Sequence, residues 1–479
     1  MSLRQLPFFI VFMVGMCFSQ NKQILYGFSE IPQSLMLNPG GKVNNKGYFG
    51  IPLLSHFHVN AGSSGISAYD VFADDGVHFN AKVRLAVTNL KPNDFMTVTQ
   101  QLELFSGGFR FGKTYEQNEY LSFGLYQELD FIGYFPKDYA ILALEGNQGN
   151  IGRPFKLDHL NFNTDLISVF HVGYNKKVNS KFTYGFRGKI YSSIANINAT
   201  KNEGRFTTVR GGNNIYQHIF DLNLSARTSG ITSLINDDNS DFDDDIKTLR
   251  KRVLFGGNLG LGIDLGITYQ ITDQWTFDAS LIDVGFIRHT KDIENYELKD
   301  NFVFEGVDPI FPESNGNQTA DEYWSEIEEE FEELFTLDTT TAKYTTWRPA
   351  KFNASLNYAF GKKKSKDCDC LFDEGGYLNA VGGQLYAINR PKGPQLALTA
   401  YYYRRLFKGL RAKATYTIDS YSFNNIGFGI SAHIGSVNMY IMADNFLQYK
   451  NIYDAQSVSL QLGLNYIFKN ETGMIKNNH

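Results

Sequence analysis

Hydrophobic and polar residues alternate along this chain with a period of two, and the pattern keeps returning. In "SVSLQLGLNYIF" (457–468), Val458, Leu460, Leu462, Leu464, Tyr466 and Phe468 take one side, and Ser457, Ser459, Gln461, Gly463 and Asn465 take the other. A helix would scatter these residues round its axis, whereas a strand sorts them onto two faces. "NLGLGIDLGITYQ" sets Leu259, Leu261, Ile263, Leu265, Ile267 and Tyr269 against Gly260, Gly262, Asp264, Gly266, Thr268 and Gln270. In "NNIGFGISAHIG", Ile426, Phe428, Ile430, Ala432 and Ile434 oppose Asn425, Gly427, Gly429, Ser431 and His433. In "KFTYGFRGKI", Phe182, Tyr184, Phe186 and Ile190 oppose Lys181, Thr183, Gly185, Arg187 and Lys189.

Two architectures write such a pattern. A soluble sandwich buries its apolar face, and a membrane barrel turns that face to lipid while its polar face lines a lumen. The polar side decides between them, because it is rich in Gly, Ser and Asn where a solvated sheet carries Lys, Glu and Thr. Glycine weakens a strand on a solvent face, but on a lumen face it makes room for something inside. The clean segments run about ten residues, enough to cross a bilayer at a tilt. Strand edges in lipid must be paired, so the strands close a ring. The sequence therefore predicts an all-β protein, a transmembrane antiparallel β-barrel of about 14 strands, with 12 to 16 compatible. Tyr401, Tyr402, Tyr403 and Phe407 in "YYYRRLF" read as an interfacial aromatic girdle, with Arg404 and Arg405 beyond it in water.

Connection lengths orient the barrel. With the C-terminus in the periplasm, the turns at Ile271–Gln274, Lys408–Leu410 and Gly435–Val437 fall on the periplasmic side, where short turns belong. The long acidic insertion from about 291 to 345 falls outside, and Tyr323, Ile327, Phe331 and Leu334 within it recur at helical spacing. Counting forward, the parity fails after 229. Either one strand has been miscounted, or residues 230–255 cross the interior as a plug.

Composition narrows the class. Charged residues make up 20% of the chain, below the roughly 25% of soluble domains, and aromatics make up 15%. A formal charge of −5 gives no basic patch and argues against a nucleic-acid partner. At the N-terminus, Arg4 precedes an apolar run from Leu6 to Phe18, too short to span a bilayer and read as a secretory signal cut after Ser19. The expected organisation is a signal peptide (1–19), a leader or hatch segment (20–44), the barrel (45–468) and a C-terminal tail (469–479). Once Cys17 leaves with the signal, Cys368 and Cys370 remain, too few for a disulfide framework and too strained at i, i+2 for a mutual bridge.

Candidate chemistry is sparse. Asp237, Asn239 and Asp241 have the spacing of a calcium loop, but Phe242 replaces the turn glycine and Thr248 the bidentate Glu, so no metal site is assigned. "SHFHVN" places His56 and His58 on one strand face beside Ser55 without a third orienting group. No catalytic constellation emerges, no cofactor is expected, and the chain reads as non-enzymatic. By the alternation, Arg187, Lys189, Asp264, His433, Gln461 and Asn465 face the lumen, where they either pair with one another or guide a solute.

Three stretches carry a resemblance. "GFSEIPQSLMLNPGGKVNNKGYFGIPLLSHFHV" resembles the mature start of Bacteroidota outer-membrane barrels, as does "YTTWRPAKFNASLNYAFG" with Pro349 opening a strand. The chain is similar to an uncharacterised Bacteroidota barrel family, related in pattern to PorP/SprF-type proteins of type IX secretion and gliding. More distantly it resembles long-chain fatty-acid transporters, whose N-terminus plugs the lumen. That likeness implies an internal hatch at Ile31–Gly41, with Asn38 and Pro39 fixing its turn. Gln461, Gly463, Tyr466 and Phe468 resemble the signal that barrel-assembly machinery reads on a last strand. The implied function is passage of a small or hydrophobic solute across the bacterial outer membrane; the alternative is an accessory barrel that binds an outer-membrane protein. Membrane lipid and the assembly machinery are the other partners implied.

Overall fold

The computed structural model describes residues 22–113, 116–212, 216–232, 252–304, 337–362, 376–446 and 455–468. Its strands form one sheet. In chain order they are β1 (Gly47–Gly50), β2 (Phe57–Ser63), β3 (Phe95–Lys113), β4 (Glu116–Tyr134), β5 (Pro154–Lys156), β6 (Asn161–Lys177) and β7 (Phe182–Asn202). There follow β8 (Arg205–Arg210), β9 (Tyr216–Ser229), β10 (Leu259–Gln270), β11 (Trp275–His289), β12 (Ile293–Phe304), β13 (Asp338–Thr340) and β14 (Tyr344–Trp347). The last are β15 (Lys351–Lys362), β16 (Tyr377–Ile388), β17 (Gln395–Phe407), β18 (Leu410–Asp419), β19 (Asn425–Ile434), β20 (Val437–Asp444) and β21 (Ser457–Phe468).

Antiparallel pairing closes a ring. β1 and β2 are two halves of one stave, flanked by β3 and by β21. From there the ring runs β3, β4, β6, β7, β10, β11, the joined β14 and β15, then β16 to β21 in order. That makes fourteen staves, and an even ring returns β1 and the end of β21 to the same end of the barrel. The short connections at 271–274, 408–409 and 435–436 lie at this terminal end, and β12 and β13 lie at the opposite, loop end. The predicted helix at 323–334 lies outside the described residues.

The alternation resolves as read. Along β10, Leu259, Leu261, Ile263, Leu265, Ile267 and Tyr269 are exposed on the outer wall, while Gly260, Asp264, Gly266 and Thr268 are buried inside. An outward apolar band of this kind is what a bilayer solvates. Near the terminal end it becomes aromatic: Phe111, Tyr174 and Phe186 touch in series, Phe182 meets Tyr269, Trp275 meets Tyr358, and Tyr466 meets Phe468. The girdle expected at 401–407 needs correction, since alternation along β17 turns only Tyr402 of that set outward, and Phe407 is exposed through the bulge after Arg405. Tyr401 and Tyr403 point inward, with the Tyr403 hydroxyl on Glu30.

The parity problem also resolves. β7 is 21 residues long; its first half pairs with β10 and its far end with β9. β9 in turn pairs with β12, so β8, β9 and β12 extend the wall past the loop end without entering the ring. β9 was the miscounted strand, and no crossing by 230–255 is needed. Residues 233–251 of that segment, Cys368, Cys370, the calcium-like run, the signal and the tail lie outside the described residues.

One stave is broken. Between β1 and β2, Pro52–Leu54 loop outward, Leu53 adopts a positive φ of 64°, and Leu464 bridges the gap by donating to Leu54 O and accepting from Ile51 N.

Candidate functional site

The lumen is filled by the chain's own N-terminus. Residues 22–46 precede β1 and fold back inside the ring, where Ile24, Leu25, Phe28 and Ile31 form a fully buried cluster with Tyr440 and Met442 of β20. Pro32 opens a single 3-10 turn, Pro32–Met36, which suits a residue whose missing N–H would be unpaired there anyway. So little internal structure leaves backbone carbonyls that must find donors elsewhere. The wall supplies them. Lys413 Nζ donates to Tyr26 O (2.7 Å), Arg187 Nη2 to Leu35 O (2.7 Å), Ser280 Oγ to Leu37 O (2.6 Å), and Asn175 Nδ2 to Pro39 O (2.7 Å) and Gly41 O (2.9 Å).

Side chains of the segment reach back. Gln33 Nε2 donates to Glu103 Oε2 (3.0 Å) and Asn465 Oδ1 (2.7 Å), and Asn465 Nδ2 donates to Gln33 Oε1 (3.0 Å). Glu30 pairs with Arg411 at 2.9 Å. Asn38 Nδ2 donates to Ile267 O (3.2 Å), and its Oδ1 accepts from Gly40 N (2.9 Å), which holds the Asn-Pro turn against β10. Here the wall glycines have their purpose. A Cβ on Gly266 would stand 2.1 Å from Asn38 Oδ1, and one on Gly185 would stand 2.0 Å from Pro39 O.

Toward the loop end, charges span the lumen. Lys189 pairs with Asp264 (2.8 Å) and Asp283 (2.5 Å), and Arg187 with Asp264 (3.4 Å). Lys351 joins Asp283 (2.8 Å) to Glu128 (3.4 Å), and Arg348 joins Glu128 (2.8 Å) to Asp165 (2.7 Å). Arg390 pairs with Asp130 through both nitrogens at 2.9 Å. β4 and β16 are not neighbours in the ring, so these pairs cross the barrel. Five cations meet five carboxylates, which is how ionic groups in an enclosed space are kept charged. Lys22 approaches this network from the N-terminal segment, and burial lowers its ammonium to about 7 against the opposing pull of Glu128.

Of the residues singled out in the sequence, Arg187, Lys189 and Asp264 come together in this network, and Asn465 meets Gln33. Gln461 is wholly buried on the inner face of β21, and His433 lies near the terminal rim, its backbone N donating to Gly409 O at 2.7 Å. Asp283 was missed because it breaks alternation: it sits at a bulge in β11 with φ 58°, its N–H donating to Asp264 Oδ1 at 2.8 Å. Glu128, Asp165 and Arg348 were missed because an inward charge on one strand does not announce its partner on another. His56 Nδ1 lies 2.6 Å from the Tyr440 hydroxyl, which itself donates to Ser55 O at 3.2 Å. Among the described residues no three His, Cys, Asp or Glu side chains are grouped to hold a metal ion.

Between the N-terminal segment and the wall, a cavity of about 320 Å³ opens at the terminal end. Its lining is polar: Asn38, Asn44, Asn175, Asn357 and Asn379 supply amides, and Tyr377, Tyr401 and Tyr403 supply rings. Lys413 and Asp278 also line it.

The model of a family of unknown function, DUF5723, matches residues 39–444. No curated protein matches the chain. Among solved structures, the chain is similar to the Ralstonia pickettii toluene transporter TbuX at 10% identity, covering 95% of this chain and 96% of that one with a TM-score of 0.41. A Pseudomonas aeruginosa FadL homologue matches at 10% identity over 95% and 99% of the two chains, TM-score 0.41. The Pseudomonas putida toluene transporter TodX matches at 8% identity over 91% and 93%, TM-score 0.37.

Proposed function

The chain belongs to DUF5723, a family of unknown function, and from that premise we propose that it is an outer-membrane channel for small polar solutes, closed at rest by its own N-terminal segment. The observation that carries the reading is how residues 22–46 are held. Apart from the apolar contacts of Ile24, Leu25, Phe28 and Ile31, residues 22–45 are bound to the wall by side-chain hydrogen bonds and one ion pair, and backbone pairing with the wall begins only at Lys46, so the segment can leave the lumen without opening the ring. In this reading Asn38 and Pro39 form the hinge-side turn of a hatch, and the termini face the periplasm. The polar lining favours a polar solute over the hydrophobic one entertained from sequence. The accessory-barrel reading draws on no observation among the described residues.

Liposome swelling with the purified mature protein tests the proposal. Intact protein should admit solutes the size of amino acids slowly, and a chain lacking residues 22–44 should admit them much faster. Folding is checked by heat-modifiable migration on gels. If the folded deletion is as tight as the intact barrel, the N-terminal segment is filler and the channel reading fails.

A further inference from the structure

Toward the loop end, a second cavity of about 60 Å³ lies between the start of the described N-terminal segment and the ion network. Its charged lining sets three cations, Lys22, Lys351 and Arg390, against two carboxylates, Glu128 and Asp130, with His58 beside them. Arg390 holds Asp130, and Lys351 holds Glu128. Lys22 holds neither: among the described residues its ammonium meets no carboxylate within ion-pair distance and no hydrogen-bond acceptor. Glu128 and Asp283 pull on it from further off while Lys351 and Lys189 press against it, and Glu128, the strongest of these, is already divided between Arg348 and Lys351. Glu103 accepts from Gln33 and does not line the cavity. The rest of the lining is also short of acceptors. Tyr386 Oη, Asn353 Nδ2 and Arg390 Nε are buried donors without a hydrogen bond, and Gln23 Oε1 is the one buried lining acceptor in the same position.

An enclosed ammonium with no counter-charge is unfavourable, and unpaired donors around it add to the cost. One negative charge brings the lining to neutrality. Size and sign limit what can carry it. A cavity of about 60 Å³ has room for a monatomic anion and a few waters. Glu128 and Asp130 on the same lining repel an anion of higher charge. We propose that this cavity binds one monovalent anion of the size of chloride, held on Lys22, with Asn353 of β15, Tyr386 of β16 and Arg390 after β16 completing its shell directly or through water. The ion ties the Lys22 end of the segment to the wall, a part of the chain that has no ion pair of its own there. Bound chloride therefore favours the seated segment, and it is released when Lys22 leaves the lumen. The inference goes beyond the channel reading and does not depend on it.

Chloride is titrated into the purified mature protein in detergent at constant ionic strength, with gluconate, an anion too large for the cavity, as its replacement. Two quantities are read: the broadening of the chloride NMR line, and the rate of maleimide labelling of Ile31→Cys with Cys368 and Cys370 replaced by Ser. An ion that binds only the seated state lowers the detached fraction by one plus the ratio of its concentration to its dissociation constant, so labelling should slow roughly tenfold at about ten times that constant. Lys22→Gln should abolish both the slowing and the added line width, and Tyr386→Phe, which removes one hydroxyl, should weaken both, in protein shown to be folded by heat-modifiable migration. Labelling that ignores chloride, or a chloride response unchanged in Lys22→Gln, overturns the inference. Chloride-dependent seating in a barrel whose folded segment deletion admits no solute would sink the channel reading and leave the site standing. A deletion that opens the pore while labelling ignores chloride would do the reverse.

Discussion

Replacing one inward glycine should loosen the N-terminal segment while leaving the lipid-facing wall untouched. In Gly266→Ala the new methyl would lie 2.1 Å from Asn38 Oδ1 and 2.8 Å from Gly40 N, where ordinary contact begins near 3.4 Å. The Asn-Pro turn must therefore withdraw by more than about 1 Å, because overpacking is relieved most easily at the partner not built into the sheet. Withdrawal breaks the Asn38 bond to Ile267 O and the two Asn175 bonds to Pro39 O and Gly41 O. At about 1 kcal/mol net for each bond, the docked state loses about 3 kcal/mol, roughly a hundredfold in the detached population. The readout is maleimide labelling of an Ile31→Cys probe, a position wholly buried when the segment is seated, with Cys368 and Cys370 replaced by Ser. Labelling should accelerate by one to two orders of magnitude in Gly266→Ala and in Gly185→Ala. Gly188→Ala is the control, because its Cβ meets nothing within 4 Å. Were all three variants to label at one rate, the glycines would not be clearances for the segment, and the account of the inner face would be wrong.

Three further outcomes follow from the same contacts. Arg348→Met leaves Asp165 without a cation and Glu128 with only Lys351, so the detergent melting transition should fall by an amount equivalent to about 3–5 kcal/mol, with partial recovery in Arg348→Met/Asp165→Asn. Lys22 is near 7 when seated and 10.5 when free, so the detached state binds more protons between those values. Seating should therefore tighten as pH rises from 7 and stay constant below it; limited proteolysis of the segment at pH 6.5 and 8.5 reads this, and Lys22→Gln should flatten the response. Phe468→Asp should reduce the heat-modifiable protein recovered in outer membranes at least tenfold, and undiminished recovery would remove Tyr466 and Phe468 from any assembly signal.

How much of this was legible depends on whether the information is local. A period of two is a property of one segment, so the faces of β10, β19 and β21 and a barrel of about fourteen strands could be read from it. The identity of what fills the lumen could not, because Gly185 and Gly266 say only that space is wanted, and the occupant lies 145 to 228 residues earlier at Asn38–Gly40. β9 misled the count for a related reason: an apolar strand that pairs beyond the membrane alternates like one within it, and only its partner β12 reveals the difference. Tyr401 and Tyr403 were misplaced because three consecutive tyrosines look like a belt, although adjacent residues of a strand cannot share a face.

A filled lumen is compatible with a channel because its two barriers differ in kind. The N-terminal segment is attached through its carbonyls to donors that water or a solute can replace, and its detachment breaks no strand pair. The ion network belongs to the wall and cannot leave, but it is neutral in sum, and Lys351 and Arg348 each already divide themselves between two carboxylates. Shared partners of this sort can exchange as a charged group passes, provided that group brings both signs with it and strands neither Glu128 nor Asp283. A purely hydrophobic solute offers no such exchange, since moving it through would require separating buried pairs with nothing to replace them. In the proposed channel the wall itself, apart from any property of the hatch, therefore favours a dipolar cargo.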